Sequence, residues 1–411
     1  MTWGQGEGRT AGAWGAVASV EPGSAGKGRS RLRSWLLSGL IVVGFGLAAV
    51  VLSVYYGATL GLVTTLLALV LAAIPLGIVI PTFLWLDRFE AEPARYLVTA
   101  FLWGALVATA VALVLQGLDQ YLLRTPNTWS AEIVAPLTEE GAKGLFILLL
   151  LWFRRRVIDG VLDGIVYAGL VGVGFAFTEN ILYLGSAYVG GHGQGPGGLG
   201  AATTLFVVRG IFSPFAHPLF TSFTGLGVGF AVVARTRRWR VAAPAIGYVV
   251  AVIAHASWNA SAYIANGRGF VVTYLFAMVP AFLLLVGFAV WARRREGLML
   301  TRSLDDAARR GFLNPAEVPW LVRLPARRAC RQWSRRQGGP TAERAMREYQ
   351  QQAIELAFLH DRWLRGSAPA DVAERGSMMV DRLRALRPYV EFPRASGAPG
   401  APASAQWQAR R

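Results

Sequence analysis

AEIVAPLTEEGAKGLFILLLLWFRRR, residues 131–156, is the stretch that decides how this chain is read. It has the length and apolarity of a bilayer-crossing helix, which needs about 20 apolar residues to cover about 30 Å of hydrocarbon. It closes on the triplet Arg154, Arg155 and Arg156. Inside it stand Glu139, Glu140 and Lys143. An ionisable group at the bilayer centre costs roughly 2.5–3.5 kcal/mol on insertion scales, so three in one span need a reason. One is internal pairing: Glu139 and Glu140 lie four and three residues before Lys143, on one helix face.

Apolar runs of similar length recur on both sides of this one. They cover 35–56, 58–86, 96–116, 161–184, 204–234, 243–264 and 270–292, and the second is interrupted by Pro75 and Pro81. Eight runs predict an all-α polytopic membrane bundle of about eight transmembrane helices with a small helical and disordered tail. The whole chain is 54% apolar and 16% charged. Soluble domains sit near 45–50% and about 25%. The expected organisation is a disordered leader over 1–34, a membrane domain over 35–292, a basic helical tail over 293–395 and a disordered end over 396–411. The leader lacks an apolar core of its own, so the first run reads as an uncleaved anchor.

The net charge of +17 is not the footprint of a nucleic-acid binder. The arginines gather at the ends of the apolar runs and in the tail, where 23 arginines face 12 acidic residues over 293–411. Even-numbered connections and the segments flanking the first and last runs carry Lys27, Arg88, Arg95, the 154–156 triplet, the 235–240 cluster and the 293–295 triplet. Odd-numbered connections carry little beyond Arg124 and Arg268. Positive residues accumulate on the cytoplasmic side, which predicts a multi-pass cell-membrane protein with both termini inside. Cys330 is the single cysteine, which excludes an intrachain disulfide framework and a multi-cysteine metal site.

Other apolar runs also hold polar groups: Glu179 in the fifth, His217 in the sixth, His255 and Asn259 in the seventh. At 1.5 Å per residue, Glu139 lies roughly 12 Å below the outer surface, Glu179 about 8 Å, His255 about 13 Å and His217 about 12–20 Å. Similar depth on four helices of alternating direction predicts one polar cavity, near the midplane or toward the outside. Phe175 and Glu179 share a helix face, as do His255 and Asn259. Carboxylates with histidines suit general-base activation of water, with or without a metal. A zinc site would favour His217, His255 and a carboxylate, with another glutamate as base. No HExxH motif is present. Arg209, near the outer end of the sixth run, suits pairing with a cavity carboxylate as well as snorkelling to headgroups. His192 reads as a loop residue and His360 as a tail-helix residue.

Taken in order, these motifs resemble a known family. Glu139-Glu140-Gly141-Ala142-Lys143 fits EExxK, Phe175 to Asn180 fits FxxxEN, His217 follows in the next run, and His255 to Asn259 fits HxxxN. One motif per helix in this order is similar to the PrsW-type intramembrane proteases, relatives of the type II CAAX prenyl endopeptidases and the wider CPBP group. The resemblance covers about 35–292. It implies hydrolysis of a peptide bond in a membrane-anchored protein, such as an anti-sigma factor. Glu139 and Glu140 would activate water. Glu179, His217 and His255 would bind a metal, Zn2+ by the donor types, or polarise the scissile carbonyl, and Asn259 would serve an oxyanion. Lys143, Phe175 and Asn180 would support them. Two other classes fit buried charges: a proton-coupled transporter, for which no internal repeat is visible, and a non-catalytic scaffold or immunity-type protein. The oligomeric state is not legible in the sequence.

Overall fold

The fold is that of a computed structural model, which describes residues 27–86, 92–154, 157–190, 196–264, 268–366, 368 and 370–393. Most of the expected leader, the 87–91 loop, Arg155, Arg156, His192 and the expected disordered end lie outside the described residues. Every element among those described is helical. We number them α1 (Lys27–Leu60), α2 (Leu62–Ala73), α3 (Leu76–Leu86), α4 (Ala94–Leu123), α5 (Ala135–Phe153), α6 (Val161–Val189), α7 (Gly198–Phe206), α8 (Ala216–Val233), α9 (Arg237–Ser261) and α10 (Arg268–Arg309). The C-terminal helices are α11 (Val318–Val322), α12 (Leu324–Leu364) and α13 (Val372–Leu386).

Among the described residues, six helical segments are long and apolar enough to cross a membrane: Val42–Leu60, α4, α6, Gly198–Val233, α9 and α10. The pair α2 and α3 makes a seventh if taken as one span bent by 40°. Pro75 sits at that break, where its missing N–H and its ring interrupt the helix. The expected count of eight therefore becomes six or seven by this measure. The segment that drops out is α5, whose 19 residues include Glu139, Glu140 and Lys143. The residues that lower its apolarity are the ones that matter chemically.

At the centre stands α6, buried over most of its length, with Tyr167, Val166, Ala168 and Val171 wholly inaccessible. It packs most extensively on α8, and α8 in turn on α9. Without a hydrophobic force between helices in lipid, such contacts depend on small residues that let backbones approach. Gly172 is one: a Cβ built there would stand 2.7 Å from the carbonyl oxygen of His217. Its missing side chain lets the start of α8 lie on α6, about two turns from Glu179. The first turn of α6 is capped by Asp163, whose Oδ2 accepts from the backbone N–H groups of Asp159 and Gly160, each at 2.8 Å.

The described residues from Arg293 onward form a second compact unit. It has a core of its own, built on Leu300, Leu304, Leu321, Cys330, Met346, Ile354 and Leu383. The sequence predicts a few short helices here. The structure has a long α12 that breaks at Gly338 and Gly339, the latter at φ 69. His360 lies in α12, as expected of a tail-helix residue, and is buried there with its Nε2 2.7 Å from Asp306 Oδ2. Burial pushes the Cys330 thiol up to about 12, against the smaller opposing pull of Arg331. Since the thiolate is the reactive form, Cys330 should resist iodoacetamide near neutral pH in the folded protein and label on denaturation. Mass spectrometry of intact protein with and without denaturant measures this directly.

Candidate active site

Lys143 organises the polar residues of the membrane domain. It is wholly buried, as is Glu140. Its ammonium lies 3.3 Å from Glu139 Oε2, 2.8 Å from Glu140 Oε1 and 3.2 Å from His217 Nδ1. Those three partners use its three N–H donors. Its remaining side is covered by the Phe175 ring, whose centroid is 3.6 Å away, a desolvated cation–π contact. The three charged residues of α5 thus satisfy one another only in part, and the helix needs its neighbours to complete the set.

The lysine also sets the histidine tautomers. An ammonium can only donate, so His217 Nδ1 accepts and the ring proton sits on Nε2. That Nε2–H then donates to Glu179 Oε2 at 2.8 Å. The same Glu179 oxygen also accepts from Arg209, whose Nε donates to Asn180 Oδ1 at 2.6 Å. Of its two expected roles, Arg209 takes that of the carboxylate's partner. On α9, His255 Nδ1 lies 3.1 Å from Glu140 Oε1. A carboxylate accepts, so this nitrogen carries a proton; in the neutral ring Nε2, 3.8 Å from Glu139 Oε2, then keeps its lone pair. Phe220 stacks on His255 at 4.9 Å and fixes its plane.

The two adjacent glutamates differ. Glu140 Oε1 accepts from Lys143 and His255, and its Oε2 accepts from Thr221 at 3.0 Å. Glu139 is held by longer bonds, 3.3 Å to Lys143 and 3.3 Å from Gln116 Nε2, and retains 6% exposure. Glu140 is anchored, whereas Glu139 has lone pairs to spare beside the bare His255 nitrogen.

Four of the sequence-derived candidates, Glu139, Glu140, His217 and His255, converge directly with Lys143 and Phe175, and Glu179 joins through His217. Asn259 does not enter the cluster. Its amide donates to the carbonyl of Ala131 at 2.9 Å and ties α9 to the approach to α5. Asn180 is the seat for Arg209. Two participants are absent from the sequence reading, Gln116 and Thr221. Thr221 follows His217 by four residues on one helix face, a legible spacing. Gln116 is a lone amide in an apolar run, with no partner visible in sequence.

The donor set also admits a metal. Ligand atoms of Glu139, His217 and His255 lie within 4.8 Å of one another, all three residues buried. Two imidazoles and a carboxylate are what catalytic zinc takes. With both histidines neutral, Glu139, Glu140 and Glu179 oppose only Lys143 and Arg209, so one formal negative charge is left for a proton or a cation to neutralise. Glu139, not the expected Glu179, completes this triple. Glu179 instead orients His217 from behind, as second-sphere carboxylates do. Both His217 nitrogens already have partners, Lys143 at Nδ1 and Glu179 at Nε2, so a metal held by His217 would take the place of one of them.

Residues 92–285, which include the whole cluster, match the family described as the PrsW family intramembrane metalloprotease. A protein called Protease PrsW from Geobacillus kaustophilus is 27% identical over 172 residues, 42% of this chain and 70% of the relative. Its namesake from Bacillus subtilis is 29% identical over 28% of this chain and 54% of the relative, and that from Clostridioides difficile is 31% identical over 24% and 42%. The chain thus spans about half of the second relative and less of the third. No solved structure matches. The family match over 92–285 takes in the buried Glu, Lys and His cluster and most of the apolar helices around it, so this part of the chain is similar to the PrsW-type intramembrane proteases.

Proposed function

We propose that this chain is an endopeptidase that hydrolyses a peptide bond of a membrane-anchored protein, such as an anti-sigma factor, close to the outer membrane face, with both of its own termini in the cytoplasm. The observation that carries this reading is the contrast between the two adjacent glutamates. Glu140 accepts from three donors, at 2.8, 3.1 and 3.0 Å, while Glu139 accepts from only two, both at 3.3 Å, and lies beside His255 Nε2.

In this mechanism Glu139 holds the attacking water. It accepts a water proton as the carbonyl carbon is attacked and returns it to the leaving amine. His255 offers its bare Nε2 to the same water. Glu140 keeps Lys143 and His255 in place and does not itself exchange a proton. Lys143 supplies fixed positive charge beside the carbonyl oxygen as negative charge develops there. Glu179 and Arg209 hold His217 in the tautomer that the lysine requires. A zinc ion held by Glu139, His217 and His255 would contribute a bound water of lowered pKa. In either case Glu139 is the carboxylate at the nucleophile.

Cells carrying Glu140→Gln in place of the native chain should accumulate an uncut membrane-anchored protein and lose its released fragment. Comparison of membrane-protein termini by mass spectrometry reads this out. An unchanged set of fragments would contradict the assignment.

A further inference from the structure

About 25 Å along α8 from His217, at 1.5 Å per residue, the other end of the helix borders a groove of about 700 Å³ between α8 and α9. That lies within the roughly 300–1,000 Å³ of small-molecule pockets. The groove runs beside a close approach of α8 and α9 that glycine permits. A Cβ on Gly227 would stand 2.3 Å from the carbonyl oxygen of Ala243, and one on Gly247 would stand 2.4 Å from that of Phe223. The two backbones therefore meet at glycine, and the walls are made by Phe223, Phe230, Trp239, Ile246 and Val250. Phe230 is 45% exposed and Ile246 53%, so the walls face out of the bundle.

One end of the groove is strongly basic. Arg235 and Thr236 line it, and Arg237, Arg238 and Arg240 follow at once, all exposed. No acidic residue lies in the sequence between Glu179 and Glu296. Among the described residues no carboxylate pairs with Arg235, Arg237 or Arg238. Trp239 stands at the boundary between the basic end and the apolar trough, as interfacial tryptophans do. From Arg237 to Val250 the groove runs about 20 Å along α9, close to half of the about 40–45 Å of a bilayer with its headgroups. Its length and polarity are those of one leaflet.

We propose that this groove binds one anionic phospholipid, an acyl chain lying over Gly227 and Gly247 and the phosphate headgroup resting on Arg235, Arg237 and Arg238. The occupant is a membrane lipid because the apolar walls require a chain and the unpaired arginines require an anion. Basic clusters at a membrane surface select anionic lipids on this principle. The site is separate from the proteolytic cluster and does not depend on its chemistry.

The test uses the full-length protein, delipidated in detergent and titrated with dioleoylphosphatidylglycerol or dioleoylphosphatidylcholine, with bound lipid counted by native mass spectrometry. The native protein should retain the anionic lipid about tenfold or more in preference to the zwitterionic one. The variant R235Q/R237Q/R238Q should bring the two lipids to parity, and R235K/R237K/R238K should keep the preference. These side chains are exposed, so the variants should fold, and a melting temperature of the membrane domain equal to that of the native protein verifies that they do. Equal retention of both lipids by the native protein, or an undiminished preference in the glutamine variant, would overturn the proposal.

Discussion

Lys143→Met should abolish proteolysis and destabilise the membrane domain by about 3–5 kcal/mol, the usual cost of removing one partner from a buried ion pair. The lysine is wholly inaccessible, and its three donors go to Glu139, Glu140 and His217. Methionine fills the same volume against Phe175 but donates nothing. The cluster's formal charge would fall from one negative to two, in a medium that solvates neither. His217 would also lose the donor that fixes its tautomer. Lys143→Arg should recover only part of this loss, because a planar guanidinium fork cannot reach three partners spread around a compact ammonium. Thermal unfolding of the purified variants, with cleavage assayed in parallel, checks both halves of the expectation. A Lys143→Met protein of native stability would show that the glutamates do not depend on the lysine.

Glu139→Gln should behave differently. Activity should fall by roughly 10²–10⁴-fold, the contribution typical of a positioned acid or base. Stability should hold or rise. The amide oxygen can still accept from Lys143, the Gln116 amide can turn its own oxygen toward the new NH2 group, and the one formal negative charge left over in the cluster disappears. Glu140→Gln should also be inactive, but with a lowered melting temperature, since its oxygens accept from Lys143, His255 and Thr221 and an amide cannot accept at both positions. Two neighbouring glutamates would thus separate into one whose loss is chemical and one whose loss is architectural. Equal effects of the two variants on stability would refute that division.

Much of this site is legible in the sequence because membranes make polar residues conspicuous. Glu139, Glu140, Lys143, Glu179, His217 and His255 stand out against apolar runs, and counting residues from the run ends brings them to similar depth. Depth is fixed by the 1.5 Å rise of a helix and needs no tertiary information. Rotation about the helix axis does need it. Whether Glu139 or Glu179 shares a triple with the two histidines depends on how α5 and α6 are turned against α8, which the close approach at Gly172 decides. Gln116 is hidden for the same reason. Its role comes from the face that α4 presents to α5, and a single amide in a run of alanine, valine and leucine carries no periodicity. The count of spans is blurred by chemistry: α5 is apolar except where it is functional. The second unit reads as a basic tail in sequence because arginine dominates its composition, yet Leu300, Leu304, Met346 and Ile354 meet in a core.

The central claim is that Glu139 holds the nucleophile for peptide hydrolysis within the bilayer. It is tested most directly by reconstituting the purified full-length protein in lipid vesicles with the membrane-anchored protein whose uncut form accumulates in Glu140→Gln cells. Native protein should release a fragment with a single new terminus, and Glu139→Gln should release essentially none while melting at or above the native temperature. Cleavage at the native rate by Glu139→Gln would contradict the account.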